Sequence, residues 1–538
     1  MRKILFISFI LLQFIVVSSL NAQNKDFNAS KALNAQYNIL KELEVGFVDT
    51  VNVEKLVNVG INAMLRQLDP YTVYIAEEDD EELELMRTAS YGGIGSLIKK
   101  IDSLGVQISQ PYFNSPASRS GLEPGDIILK INGEDVKPLK ADECSSKMKG
   151  QPGTDVKFLI KKGRTGKEEE VTITRERVHI SDVSYSDILK NNIGYIRIDG
   201  FTEDGSTDVK NAVVALKEKG MQKLILDLRG NGGGLMSEAV KIVSLFVPKG
   251  TKVVSAKGRT PDSNFELRTQ TEPIDTLIPI VVMVNSGSAS SSEIVAGALQ
   301  DLDRALIAGT KTYGKGLIQA IKPVGFNGNL KLTTSKYYTP SGRCVQAIDY
   351  SNRNSDGSVG TIADSLKKAF KTKNGRIVYD GGGITPDSLI KSDPFSRPAV
   401  SLVFNDIIGD YAIKFYKENK SIASAKDFTL TDQQYANFVD YAKNRDFDSR
   451  SSANALLDEI LKAAKDEDMY EIFKNEFDAL EKKLNISKEE MLKIKRDEIQ
   501  PIVECEIANK YYFTRGRIES LLRTDSQLNK VLEILDKQ

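Results

Sequence analysis

The chain has no tryptophan, one histidine and three cysteines among its 538 residues. Each scarcity removes a class of chemistry. Cys144, Cys344 and Cys505 are odd in number and far apart, which argues against a disulfide framework. With His179 as the single imidazole, no zinc-ligand cluster can be assembled from spacing, so metal-dependent and cysteine-based hydrolysis are poor readings. Net charge is −1, which gives no electrostatic reason to expect nucleic acid or an anionic membrane as partner. Beyond Gln23 no run reaches the roughly 18 apolar residues that cross a bilayer, and there is no internal repeat or low-complexity segment. What remains is ordinary globular composition, 41% hydrophobic and 27% charged, over a length that predicts roughly three or four domains.

Met1–Gln23 carries Arg2 and Lys3, the apolar run Ile4–Val17 and small or polar residues to Ala22. That layout is a secretory signal over residues 1–22, so the mature protein is expected in the periplasm or cell envelope. No cysteine stands near the cleavage point to take a lipid. An uncleaved anchor is the alternative, and the short run interrupted by Gln13 disfavours it.

Residues 23–90 show helical periodicity (Leu33, Tyr37, Leu40, Leu43; Val57, Ile61, Met64, Leu65, Leu68) with a break at Asp69-Pro70. The acidic run Glu77–Glu82 reads as a solvated helix start. From Tyr91 the period shifts to strands and turns: Gly92-Gly93-Ile94-Gly95, then Ser115-Pro116-Ala117, Pro124-Gly125, an apolar strand and the hairpin signal Asn132-Gly133. From about 192 to 386 strands alternate with helical stretches, the pattern of an α/β core. Residues 393–538 are charged and helical, with amphipathic stripes such as Leu456, Leu457, Ile460 and Ile518, Leu521, Leu522.

The stretch Ile278–Gln319 holds the chemistry. Pro279–Val284 is β-branched and unbroken, a buried strand; Asn285–Ser292 is a small-residue turn; Glu293–Leu299 continues as helix. Ser290-x-x-Glu293 fits a capping box, which puts Ser290 at a helix N-terminus, where backbone N–H groups favour an anion such as a tetrahedral oxyanion. A serine hydroxyl needs a base. His179 sits in a charged stretch with no local tie to a nucleophile and reads as a strand-edge residue. Lys315 lies between two glycines in an apolar, strand-like segment, a place that suits an amine wanted in a confined site. A lysine at its reference pKa of about 10.4 is neutral about once in 2,500 molecules at pH 7, and desolvation toward roughly 7–8 makes the free amine abundant. Gln319 would share a strand face with positions 315 and 317 and could orient that amine. Ser286, Ser288, Ser291 and Ser292 are rivals to Ser290 that the residues alone do not exclude.

Two other motifs compete. Gly309-x-x-x-x-Gly314-Lys315 resembles a P-loop, but Gly316 replaces the Ser/Thr that would hold magnesium. Gly230-Asn231-Gly232-Gly233-Gly234 imitates a dinucleotide fingerprint, but Leu235 stands where its third glycine belongs.

The motifs Ser288-Ala289-Ser290-x-Ser292-Glu293-Ile294-x-Ala296-Gly297-Ala298-Leu299-Gln300-Asp301 and Tyr313-Gly314-Lys315-Gly316-x-x-Gln319 resemble those of the C-terminal processing peptidases, or tail-specific proteases. The resemblance implies Ser290 as nucleophile, Lys315 as general base and Gln319 as its orienting partner. It also implies that the Leu228-Arg229-x-Asn231-x-Gly233-Gly234 turn lends the Gly233 N–H to an oxyanion hole, with the Ser291 N–H as second donor. Residues 91–175 resemble a PDZ domain, which accepts a chain terminus as an added strand; Gly92, Gly93, Ile94 and Gly95 would bind its carboxylate. The expected architecture is a crotonase-like α/β protease core (176–392) with an inserted PDZ domain and flanking helical regions. The expected activity is serine endopeptidase cleavage of protein or peptide substrates with accessible C-terminal tails, with no cofactor and no metal. A catalytically dead PDZ scaffold and a crotonase-like acyl-thioester enzyme are the alternatives. Self-association and an activating partner are left open.

Overall fold

A computed structural model of the protein describes residues 28, 30–77, 80–101, 104–325, 328–354 and 356–537. The segment 1–22 anticipated as a secretory signal and part of the acidic run lie outside them. The chain forms two compact units, residues 1–77 with 319–333 and residues 78–318 with 334–538.

In the larger unit a six-stranded sheet runs in the order Val183–Ile188, Ile193–Ile198, Lys223–Asp227, Ile280–Val284, Leu306–Gly309, Ser388–Leu389; the first pair is antiparallel and the rest are parallel. Parallel strands need crossovers, and the helices Gly205–Glu218, Met236–Ser244 and Ser291–Asp301 follow or link them. Ile280–Val284 is buried along its whole length, which is why it reads as an unbroken apolar run rather than an alternating one. The helices close one face of the sheet in a cluster that includes Ile196, Leu226, Val282, Val213, Val243 and Val295. The opposite face, with Tyr195, Ile225, Val281 and Met283, is covered from the far end of the chain by Ile518, Leu528, Val531 and Leu535. Each fully buried aliphatic there contributes about 1.5–3 kcal/mol.

Residues 96–174 form an antiparallel sheet in the order Ser96–Ile101, Gly105–Pro111, Ile127–Ile131, Asp155–Lys161, Glu168–Thr174. Asn132 and Gly133, with φ of 51° and 86°, make the hairpin anticipated at that pair. Ser96–Ile101 is an edge strand, and the helix Ala141–Met148 packs beside it. Ser90–Gly93 pairs with Glu176–His179 where the chain enters and leaves this domain. From Arg397 onward the described residues are mainly helical, and Arg397–Phe404, Ile407–Glu418, Asp432–Ala442, Lys488–Ile494 and Arg496–Thr524 contribute to an aromatic-rich core containing Tyr411, Phe415, Phe428, Tyr435 and Phe438.

In the smaller unit the helix Val53–Arg66 starts at Asn52, whose Oδ1 accepts the Lys55 N–H at 2.8 Å. The break anticipated at Asp69-Pro70 is a turn in which Asp69 Oδ1 accepts the N–H groups of Tyr71 and Thr72, both at 2.8 Å. Val73–Ile75 then pairs antiparallel with residues 329–331. The helical stripe anticipated at Leu33 and Tyr37 forms a helix, yet both side chains stay about two-thirds exposed at 66% and 67%. No helix among the described residues is long and apolar enough to cross a membrane.

Candidate active site

Ser290 stands between the turn after Ile280–Val284 and the first residue of Ser291–Asp301, with φ 56° and ψ −114°. For a residue with a β-carbon such a conformation costs on the order of 1–3 kcal/mol, so its surroundings must hold it. They do so through the backbone. The Ser290 N–H donates to Glu293 Oε2 at 3.0 Å, the Glu293 and Ile294 N–H groups donate to Ser290 O, and the Tyr337 hydroxyl donates to the same oxygen at 3.2 Å. The capping box therefore forms on its glutamate side, while the Ser290 side chain makes no capping hydrogen bond.

The rival serines are differently placed. Ser288 Oγ donates to Leu228 O at 2.7 Å, Ser291 Oγ to Gly234 O at 2.8 Å and Ser292 Oγ to Asn231 O at 2.8 Å. All three residues are buried, and their hydroxyl protons sew the serine turn to the glycine turn. Ser286 is exposed on the turn.

Lys315 belongs to the same constellation through its backbone. Its N–H donates to Glu293 Oε2 at 2.8 Å, the oxygen that also takes the Ser290 N–H. Glu293 Oε1 accepts the Gly314 N–H at 2.7 Å and the Thr312 hydroxyl at 2.6 Å. One buried side chain thus fixes the segments of both Ser290 and Lys315. Burial pushes the Glu293 carboxyl up from its ordinary range, while the four converging donors favour its charged form. Four donors require an acceptor of carboxylate capacity, so we assign the carboxylate. Tyr337 makes a second link: its N–H donates to Gly316 O at 2.9 Å while its hydroxyl reaches Ser290 O.

One sequence expectation is corrected here. Residues 310–316 form no strand; the strand begins at Leu317 and runs to Gly325, so Lys315 does not share a strand face with residues 317 and 319. The reason is close packing: Gly314 has φ 87°, and a β-carbon there would lie 2.4 Å from that of Ala347. The Gly314 carbonyl accepts the Ala347 N–H at 2.9 Å and the Gly316 N–H donates to Gln346 Oε1 at 2.8 Å, which holds the segment off the ladder. Because strand, not helix, follows Lys315, the P-loop reading also falls. Gln319 lies on that strand in the smaller unit, where its Nε2 donates to Thr333 Oγ1 at 3.2 Å.

The glycine turn 230–234 lies between Lys223–Asp227 and Met236–Ser244. Gly233, with φ 102°, touches the serine turn so closely that a β-carbon on it would come within 2.7 Å of Ser290 Cβ. Its N–H donates to Asn231 Oδ1 at 2.8 Å. The Ser291 N–H is at the first helical position, among the donors that a helix leaves without an intrahelical acceptor. At the base of the turn Asp227 is fully buried and accepts the Tyr195 hydroxyl at 2.6 Å and the Arg229 guanidinium. Burial alone would push the Asp227 carboxyl up, but the Arg229 charge outweighs it and holds it below the usual range.

His179 is exposed on the edge of its strand, 3.2 Å from Ser90 Oγ through Nδ1 and 3.6 Å from Asp208 Oδ2 through Nε2. Gly92 and Gly93 sit in the strand Ser90–Gly93, and Ile94 and Gly95 in the loop after it. The Ile94 side chain is buried, its carbonyl accepts the Ala117 N–H, and Gly95 O accepts from Tyr112 N–H and Ser115 Oγ. A cavity of about 400 Å³ adjoins this strand, lined by Tyr91, Gly92, Lys149, Gly150 and Arg177 among others.

The sequence alone marks Glu293 only as a capping residue and gives no signal at Tyr337. The first had a local signal, its spacing from Ser290; the second had none, because its two bonds join segments far apart in the chain.

Comparison with known proteins identifies the assembly. The pattern of Peptidase family S41 matches residues 192–351, that of a PDZ domain residues 107–162, and that of the probable PDZ-protease C-terminal helical domain residues 399–535. The chain is 33% identical over 354 residues to the carboxy-terminal-processing protease of Bartonella bacilliformis, covering 64% of this chain and 81% of the relative. It is 34% identical over 317 residues to a probable CtpA-like serine protease of Staphylococcus aureus, covering 58% and 62%. Among solved structures, the photosystem II D1 C-terminal processing protease matches 66% of this chain and 86% of that one at 24% identity, with a TM-score of 0.35. At one-third identity over most of a relative's length, with peptidase and PDZ parts both matched, this chain belongs to peptidase family S41 and is a carboxy-terminal-processing serine protease.

Proposed function

We propose that Ser290 is the nucleophile and Lys315 the general base of this protease. The observation that carries the reading is the Glu293 carboxylate, whose Oε2 accepts backbone N–H groups from both residues. In the proposed step the neutral Lys315 amine takes the Ser290 proton as Oγ bonds to the scissile carbonyl carbon. The Ser291 and Gly233 N–H groups receive the oxyanion, the latter shared with or released from Asn231 Oδ1. The lysine ammonium protonates the departing amine, and water then hydrolyses the acyl-enzyme with Lys315 again accepting the proton. Since only the free amine can take the proton, kcat/KM should rise with pH as the Lys315 amine loses its proton and be indifferent to chelators. Loss of activity on chelation, restored by zinc, would sink the dyad.

The finer fold we infer is crotonase-like, supported by the run of parallel strands with helices on one face. Residues 1–22 support export to the periplasm or cell envelope. Gly92, Gly93, Ile94 and Gly95 would hold the substrate's terminal carboxylate while its tail adds to the edge strand Ser96–Ile101. Proteins with a free apolar C-terminus should therefore be cleaved faster than the same proteins amidated at that end, with products read by mass spectrometry. Losing charged hydrogen bonds costs about 1.5–3 kcal/mol, or roughly ten- to a hundredfold in kcat/KM. Equal rates would remove tail recognition and leave the dyad untouched.

A further inference from the structure

The C-terminal helical region has no assigned part in catalysis, yet its last helix begins against Arg229, the residue that precedes the glycine turn. Asp525 caps Ser526–Asp536, accepting the Leu528 N–H on Oδ1 at 2.9 Å. The same carboxylate takes Arg229 Nη2 on Oδ2 at 2.6 Å and Nη1 on Oδ1 at 3.2 Å. Gln527 Oε1 accepts Arg229 Nη1 at 3.1 Å, and its Nε2 donates to Ile390 O at 2.6 Å. The Ile390 N–H in turn donates to Gly309 O, the end of the strand that leads into the lysine segment. Arg229 is therefore gripped from two sides: by Asp227 from within the core, through Nε at 3.0 Å to both oxygens, and by Asp525 and Gln527 from the last helix. The Asp227 and Asp525 grips are multidentate charge-assisted pairs, the geometry that fixes an arginine in direction as well as distance. Only 12% of the Arg229 side chain is exposed. Four residues further on, Gly233 abuts Ser290.

We propose that Asp525 and Gln527 are positioning residues for the oxyanion-binding turn, holding Arg229, and through it Gly230–Gly234, in register with Ser290. The inference rests on the reading that this turn supplies an oxyanion donor. Donors of this kind act through placement; displacement by about 1 Å can cost on the order of a hundredfold in rate. The last helix is thereby a required part of the catalytic apparatus.

Asp525→Asn tests this in the full-length protein, because asparagine still caps a helix while losing the charged pair. Expected is a roughly ten- to hundredfold fall in kcat per titrated active site with KM within about twofold. Affinity for a peptide aldehyde, whose adduct with the nucleophile carries an oxyanion, should weaken by the same factor. Asp536→Asn is the control: Asp536 lies on the same helix and binds Asn191 Nδ2 at 2.9 Å, away from the turn, and its loss should leave kcat unchanged. Equal losses in both variants would mean that helix docking alone matters and would overturn the proposal, as would wild-type kcat in Asp525→Asn. Arg229→Gln separates the two layers. If it keeps full kcat and aldehyde affinity, the oxyanion-turn reading fails; if it loses them while Asp525→Asn does not, only the bracing role fails.

Discussion

Ser290→Ala and Lys315→Ala should each lower kcat by roughly 10⁴- to 10⁶-fold, and the double variant should lose no more than either alone, because in the proposed mechanism the two residues serve one proton transfer. Lys315→Arg should not rescue, since a guanidinium does not deprotonate in a protein and cannot act as base. The contrast lies in the neighbouring serines. The hydroxyls of Ser288, Ser291 and Ser292 already donate to the carbonyls of Leu228, Gly234 and Asn231. Replacing any of them with alanine should cost about 1 kcal/mol of stability, rising toward 3 where a buried carbonyl is left unpaired, but retain the chemistry. Steady-state rates normalised by active-site titration, beside urea unfolding, read both quantities. Substantial activity in Ser290→Ala together with its loss in Ser288→Ala or Ser292→Ala would move the nucleophile.

The second large effect is expected from Glu293→Gln, a change that neither enlarges nor empties the site. The carboxylate accepts four donors, two on each oxygen. An amide keeps one oxygen and turns the other position into a donor. The Thr312 hydroxyl could reverse its bond, but the Gly314 N–H would then face an N–H group, and the opposite flip would strand the Ser290 and Lys315 N–H groups instead. Each buried donor left unpaired costs about 1–3 kcal/mol, so a loss of roughly 2–4 kcal/mol in unfolding free energy is expected. Since the carboxylate holds the Ser290 and Lys315 segments together, kcat should fall on the order of a hundredfold as both shift. Stability within about 0.5 kcal/mol of wild type and an undiminished kcat would show that Glu293 is only a helix cap.

Much of this was legible because it is local. The unbroken apolar run at Ile280–Val284, the small-residue turn and the Ser290-x-x-Glu293 spacing announce strand, turn and helix from neighbouring residues alone, and the helix does begin at Ser291. Asn132-Gly133 announced its hairpin for the same reason: positive φ at two successive positions is a demand that few residue pairs meet. The placement of Lys315 was not legible. Its flanking apolar residues read as strand, and contacts with Gln346 and Ala347 from another part of the chain override that pattern.

By itself the sequence determined the order of elements, the two glycine-bearing turns, the small set of serines that are candidates for the nucleophile, and the family, since these depend on residue type at fixed spacing along the chain. Only the tertiary structure decided which serine hydroxyls are already committed to carbonyls and that Glu293 gathers four donors. It alone brought Asp525, 296 residues from Arg229 in the chain, onto the guanidinium beside the glycine turn. The physical reason is the same in each case. A buried polar group must find a partner wherever the fold supplies one, and which partner arrives is set by packing two faces of one sheet from the middle and the far end of the chain, a relation that no local spacing encodes.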